Sequence, residues 1–297
     1  MKVEETKIKR KPTMNNLNLI YPERSGIKFK TMVFPDGQPH IKIDVESTDG
    51  LNREEPLKVI SRISNSNDLV MLLLVKNTLD YLEFQQIELQ VAYLMTARMD
   101  RVMLDGEPFS LKVIAAILNQ ANFKKVMIFD PHSEVSTALL DRSYSITNHL
   151  FVKDCLDDYF TKNEAASYCL VSPDGGALKK IHKLAQQLNI TGVVECMKER
   201  DLKTGQLTNF KVFGENLQGK TCFIIDDICD GGGTFIGLAV ELKKLGAKKI
   251  ILVISHGIFS RGFELKNVDE IYTTNSYQEL SAPPAHLTIF SISRYLN

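Results

Sequence analysis

Neither sign of charge dominates this chain: 36 basic and 36 acidic residues cancel in 297. A molecule-wide field that draws proteins to nucleic acid or anionic membrane is therefore absent, and any anion must be held locally. The five cysteines, Cys155, Cys169, Cys196, Cys222 and Cys229, form no CxxC pair and no zinc-finger spacing. They read as reduced thiols of a cytoplasmic protein, mostly buried, with Cys229 the one expected to be more exposed. The opening "MKVEETKIKRKPT" lacks the apolar core of a signal peptide. The longest apolar run, Leu69 to Val75, is too short to cross a bilayer. There is no low-complexity tract, nucleic-acid motif or short-period repeat.

What is present is alternation. The runs "KVMIFD", "SYCLVS", "GVVEC", "TCFIID" and "KIILVIS" read as strands buried on both faces, as a parallel sheet requires. Between them lie helix candidates Pro108–Asn119, Gly176–Leu188 and Thr234–Leu245, the last closing on two lysines and Gly246. The expected class is α/β, with a mainly parallel sheet flanked by helices in each of two tandem domains. A disordered tail over 1–13 would precede a domain over 14–148 and a second over 149–297. A β-rich opening, "KFKTMVFPDGQPHIKIDV", carries a turn signal at Pro35–Asp36–Gly37. The place of the last apolar run, "HLTIFSIS", is open between the second domain and the first.

The densest chemistry is in "FIIDDICDGGGTFIG", Phe223 to Gly237. Three successive glycines let backbone N–H groups approach a ligand, and Thr234 is placed to cap the helix that follows. Unpaired amides at a helix N-terminus, aided by its dipole, make a phosphate site without a basic side chain. Asp226 and Asp227 before them suit sugar hydroxyls or the waters of Mg²⁺. Together they describe a phosphorylated sugar with a metal; the plainer alternative is a tight βα turn whose aspartates cap a helix.

"FIIDDICDGGGT" resembles the loop shared by type I phosphoribosyltransferases and ribose-phosphate pyrophosphokinases, and other stretches favour the pyrophosphokinases. "VFPDGQPHIKI", "TARMDR", "GEPFSLKVIAAIL", "FDPHS", "VSPDGG", "KER" and "SHGIFS" resemble segments of that family in its order. The resemblance implies two phosphoribosyltransferase-like domains and transfer of the β,γ-diphosphoryl group of ATP to the anomeric hydroxyl of ribose 5-phosphate, leaving AMP. Lys198 and Arg200 would stabilise the diphosphoryl group from a flexible, polar loop that closes as a lid, with His132 beside them. His132 and Asp174 would lie at Mg²⁺. Phe34, Asp36 and Gln38 would hold adenine from a neighbouring subunit, which implies a homo-oligomer, dimer or hexamer. Arg98 and Asp100 would serve ATP. Asp226 and Asp227 would bind the ribose hydroxyls, and Asp230, Gly231, Gly232, Gly233 and Thr234 the 5-phosphate.

Taken without the resemblance, many of these residues have plainer readings. A Lys-x-Arg pair is usually a solvated face, His132 and Asp174 are turn residues, Arg98 is a surface charge, and the Phe34 stretch is a hairpin with one core aromatic. Asp230 is the odd member, because a carboxylate repels phosphate unless it points away. The chain also departs from the family pattern. Gly231 stands where a threonine is expected, Gln38 replaces a glutamate and Met99 a glutamine. The loss at 231 removes a hydroxyl and leaves space, so the acceptor is ribose 5-phosphate or, alternatively, a ribosyl phosphate such as ADP-ribose from NAD metabolism. Rival readings are an inactive regulatory homologue, a phosphoribosyltransferase and a non-enzymatic sugar-phosphate module.

Overall fold

The computed structural model describes residues 15–163, 167–200, 207–213 and 216–296, with the backbone alone described at 198–200 and 207–209. The expected tail at 1–13 lies outside these. The described chain divides into two compact units: one runs to Ile128 and takes Ser133–Ser145, the other takes Phe129–His132 and the chain from Ile146 onward.

In the first half, β1 (Asn16–Asn18), β2 (Phe29–Val33), β3 (Pro39–Ile43) and β4 (Leu57–Ile63) precede α1 (Ser66–Tyr81). They are followed by β5 (Ile87–Leu94), α2 (Ser110–Gln120), β6 (Lys125–Phe129), α3 (Val135–Leu139) and β7 (Ser143–Ile146). The five-stranded sheet has the order β1-β4-β5-β6-β7, and its first three pairings are parallel. Leu17, Val59, Leu89 and Val91 of the sheet pack with Leu72, Val75 and Leu79 of α1 in one core. Helix α1 starts where the Asn65 side chain accepts from the Asp68 N–H and the Asp68 carboxylate accepts from the Ser64 N–H. This reciprocal cap satisfies two donors at the helix start.

Strands β2 and β3 stand apart as an antiparallel hairpin. Its turn closes with the Phe34 N–H on the Gln38 carbonyl at 2.9 Å, and Gly37 supplies a φ of 85°. Phe34 is 43 % exposed. The aromatic expected in a core, on the plainer reading of this stretch, is therefore a surface residue.

The second half contains α4 (His149–Lys162), β8 (Tyr168–Ser172), α5 (Gly175–Gln187), β9 (Val193–Arg200) and β10 (Leu207–Phe213). Then follow β11 (Thr221–Cys229), α6 (Gly233–Lys244), β12 (Lys249–Gly257), β13 (Glu270–Thr274) and β14 (Leu287–Phe290). The seven-stranded sheet runs β10-β9-β8-β11-β12-β13-β14, parallel except for the antiparallel β9–β10 pair. Strand β12 is buried at every residue after its first, the pattern of a central strand covered on both faces. The run "HLTIFSIS" supplies β14 at the edge of this sheet.

The direction of winding changes between β8 and β11: from β8 the chain proceeds to β9 on one side, and from β11 to β12 on the other. In open α/β sheets such a switch leaves a crevice at the strand ends where ligands bind. Ser172 and Asp174 follow one wall of it, and Asp226 and Asp227 form the other.

Candidate active site at the end of strand β11

Strand β11 extends three residues beyond the expected run, so Asp227 as well as Asp226 lies within it. Alternation then points the two carboxylates to opposite faces. Asp226 is half-buried and Asp227 buried. Asp226 Oδ1 also accepts the Asp227 N–H at 2.9 Å. Asp227 Oδ2 meets His132 Nδ1 at 2.7 Å, which unites two residues far apart in sequence. Burial alone would raise the Asp227 carboxyl, but the His132 hydrogen bond and charge, Asp226 and Lys180 together hold it well below the usual carboxylate range.

A second charged group adjoins this pair. Asp130 is buried with a φ of 42°, a conformation that asparagine and aspartate tolerate better than most residues. Its carboxylate accepts from Lys180 Nζ of α5 and from the Ser255 hydroxyl at the end of β12. Burial works against the Lys180 charge, yet Asp130, Asp227 and Asp226 raise its pKa in net. His256 lies against the Asp130 carbonyl through Nε2 at 3.1 Å and against Ser276 Oγ through Nδ1 at 2.7 Å, and burial lowers its pKa.

After Cys229 the chain turns through Asp230 and the three glycines into α6. Gly232, at φ 74°, is the residue before the helix, and a Cβ there would stand 2.3 Å from Leu265 Cδ2. Both facts require glycine. No side chain caps the helix, so Thr234 lies in its first turn rather than at the cap expected for it. Helical bonding begins with the Phe235 N–H on the Gly232 carbonyl. The N–H groups before it belong to the first turn, which has no partners within the helix. Asp230 accepts from the Ser260 hydroxyl at 2.5 Å, so a neighbouring loop anchors the carboxylate that looked out of place beside a phosphate. Cys229, expected to be more exposed, is buried, and burial together with Asp226 and Asp230 pushes its thiol up to about 12.

The loop that carries Ser260 is fixed to the same strand end. The Ile258 and Phe259 N–H groups both donate to the Cys229 carbonyl, at 2.9 and 3.1 Å. Gly257 makes room for the buried Phe259 ring, which a Cβ would meet at 2.2 Å. These contacts give "SHGIFS" a physical meaning: it is the floor of the site.

The remaining expected residues are elsewhere. The Asp174 carboxylate accepts the Ala177 N–H at 3.0 Å and caps α5. Lys198 and Arg200 belong to the backbone of β9, paired with Phe210 and Leu207 of β10. The segment read as a polar lid is thus strand at both described ends, and 201–206 lies outside the described residues. Phe210 is seated on Gly237 of α6, where a Cβ would come within 2.3 Å of its ring, so the hairpin is docked on the helix that opens at the glycine loop. In the first unit, Phe34, Asp36 and Gln38 lie on the hairpin turn. There a groove of about 510 Å³ is lined also by His40, Asn67 and Val70. Arg98 is exposed in the turn after β5, not on a helix, and Asp100 is buried with an ion pair to Arg101 at 2.9 Å. Among the described residues no three His, Cys, Asp or Glu side chains are grouped to hold a metal, and no helix is long and apolar enough to cross a membrane.

A phosphoribosyl transferase domain model matches residues 138–280. The ribose-phosphate pyrophosphokinase of Sulfurisphaera tokodaii is 30% identical over 274 residues, covering 90% of this chain and 89% of its own. The chain belongs to the ribose-phosphate pyrophosphokinase family. The enzyme of that name from Pyrococcus abyssi is 28% identical over 268 residues, 89% of this chain and 87% of its own. A phosphoribosylpyrophosphate synthetase from Mycobacterium smegmatis has the same fold, with a TM-score of 0.75 over 92% of this chain and 89% of that one at 20% identity. Membership makes this an enzyme of the diphosphotransferase type, with two phosphoribosyltransferase-like domains. Within the pyrophosphokinase frame, sequence reasoning did not single out Asp130, Lys180, Ser255 or Ser260. Asp130 was legible as the first acid of "FDPHS", whereas Lys180 looked like one more solvated lysine of an amphipathic helix.

Proposed function

We propose that the protein transfers the β,γ-diphosphoryl group of ATP to the anomeric hydroxyl of ribose 5-phosphate, releasing AMP and forming phosphoribosyl pyrophosphate. The observation that carries this reading is the end of β11, where two carboxylates and an open helix start share one strand-to-helix connection at the switch point of the sheet. The bond between the β-phosphorus and the oxygen leading to the α-phosphate breaks, the anomeric oxygen bonds to the β-phosphorus, and the hydroxyl proton departs.

Asp226 and Asp227 accept hydrogen bonds from the ribose 2- and 3-hydroxyls. The low pKa of Asp227 keeps it an acceptor throughout the neutral range. The amides of Gly231, Gly233 and Thr234 hold the 5-phosphate, while the Gly232 N–H is directed at the Cys229 thiol. Lys198 and Arg200 supply the charge that the transferring group needs, since phosphoryl transfer depends mainly on position and neutralisation. The hairpin groove at Phe34, Asp36 and Gln38 receives the adenine, in an assembly of more than one copy, and Arg98 and Asp100 serve the ATP phosphates. His132, held by Asp227, and Asp174, held by the start of α5, would hold the metal. The Asp174 carboxylate is the oxygen donor that Mg²⁺ favours, and phosphates and water would supply most of the rest of its shell. When bound, the ion neutralises the triphosphate. All of this chemistry suits a soluble, cytoplasmic enzyme.

The test is AMP release from purified protein with ATP and Mg²⁺, with and without ribose 5-phosphate. AMP that depends on the acceptor supports the reading. Pyrophosphate release from phosphoribosyl pyrophosphate and a nucleobase, without ATP, would identify a phosphoribosyltransferase instead. No turnover in either assay would return the regulatory reading.

A further inference from the structure

Gly231 raises a question that Gly232 does not. Gly232 has a left-handed φ and must be glycine, but Gly231 has no such conformation, so its backbone would accept any residue. What a side chain at 231 would meet is Arg261, an arm that would have to give by a few tenths of an ångström. A Cβ there would stand 3.2 Å from Arg261 Cδ and 3.3 Å from Nε, tighter than ordinary contact. The space left by the missing threonine is therefore filled, not empty, and what fills it is a guanidinium arm. One hydroxyl has been exchanged for a cation carrying a planar fork of donors.

The backbone that carries this arm is anchored on both sides. Phe259 is buried and bonded to the Cys229 carbonyl, Ser260 bonds Asp230, and Gly262 turns the chain away at φ 86°. Arg261 itself is exposed and makes no hydrogen bond or ion pair among the described residues. The cradle for the first phosphate is already furnished by amides at the start of α6. The exposed Arg261 side chain lies against Gly231, beside this cradle.

We propose that Arg261 is a specificity-determining residue that binds the second phosphate of a ribose joined through a diphosphate, the acceptor class of ADP-ribose. The inference rests on the reading of the glycine loop as the 5-phosphate site, and it extends the acceptor beyond ribose 5-phosphate. An arginine fork grips a diphosphate bidentately. Arg261→Ala therefore lowers the ratio of kcat/KM for ADP-ribose over ribose 5-phosphate by about 10–100-fold, the range expected for one charged hydrogen-bonding contact. Gly231→Thr, which displaces the arm, lowers the same ratio, and Arg261→Lys restores part of it.

The experiment measures AMP release by the full-length protein and these three variants with each acceptor. A selective fall in the ratio supports the proposal. Wild-type turnover with ribose 5-phosphate alone, or equal losses for both acceptors in Arg261→Ala, overturns it while leaving the proposed function intact. Absence of turnover with either acceptor fails the proposed function, and the inference with it.

Discussion

Replacing Lys180 with methionine removes the cation from a carboxylate that has almost no contact with water. The Asp130 side chain is 2 % exposed and the Lys180 side chain 33 %. Breaking a buried ion pair by deleting one partner costs about 3–5 kcal/mol, because the remaining charge stays behind without compensation. Partial exposure of Lys180 lets water replace some of the lost interaction, so the expected cost is near the lower end, about 3 kcal/mol. For a domain of about 150 residues this lowers the melting temperature by about 6–12 °C. The assay is thermal and urea unfolding followed by circular dichroism. The companion is the double variant Lys180→Met with Asp130→Asn. Asparagine accepts the left-handed backbone at 130, keeps an acceptor for Ser255 and carries no charge. It should recover most of the loss. A single variant within about 1 kcal/mol of wild type would refute the argument, since so small a cost is typical of a surface pair. A double variant as unstable as the single would refute it too, because the cost would then be packing rather than stranded charge.

Other outcomes follow from the same site. Lys198→Ala cuts turnover by about 10²–10³-fold, the usual cost of one preorganised charge stabiliser, with unchanged unfolding; near-wild-type turnover would remove Lys198 from the mechanism. Asp227→Asn raises KM for the acceptor far more than KM for ATP, and steady-state kinetics showing equal rises would discard the ribose role. His256 is lowered from its ordinary value in the fold, so the unfolded chain takes up its proton first. Stability therefore falls as pH drops through about 6.5, the unfolded value, and His256→Gln should flatten that part of a pH-stability curve.

Much of this was legible along the chain. Strands such as β11 and β12 are nearly unbroken apolar runs, and the acids and glycines between β11 and α6 announce a strand-to-helix ligand loop by themselves. Helix α1 was not legible, because the run from Leu69 to Val75 is almost wholly apolar and hides the 3.6-residue period. Strand β10 was missed for the opposite reason, since its polar residues read as a loop. The pairings across the fold were out of reach. That Arg261 lies against Gly231, and that Lys180 answers Asp130, depends on neighbours made by the fold and not by the sequence. Gly231 was read as space, and only its surroundings show the arginine arm beside it.

The short segment Phe129–His132 belongs by its contacts to the second unit, although the chain on both sides of it belongs to the first. It brings Asp130 to Lys180 and His132 to Asp227. A fragment beginning at Ile146 would contain the whole glycine loop and still lack both of these partners. The second unit is thus not a contiguous cassette, and moving the chain from Ile146 onward as one piece would leave Lys180 without Asp130 and Asp227 without His132.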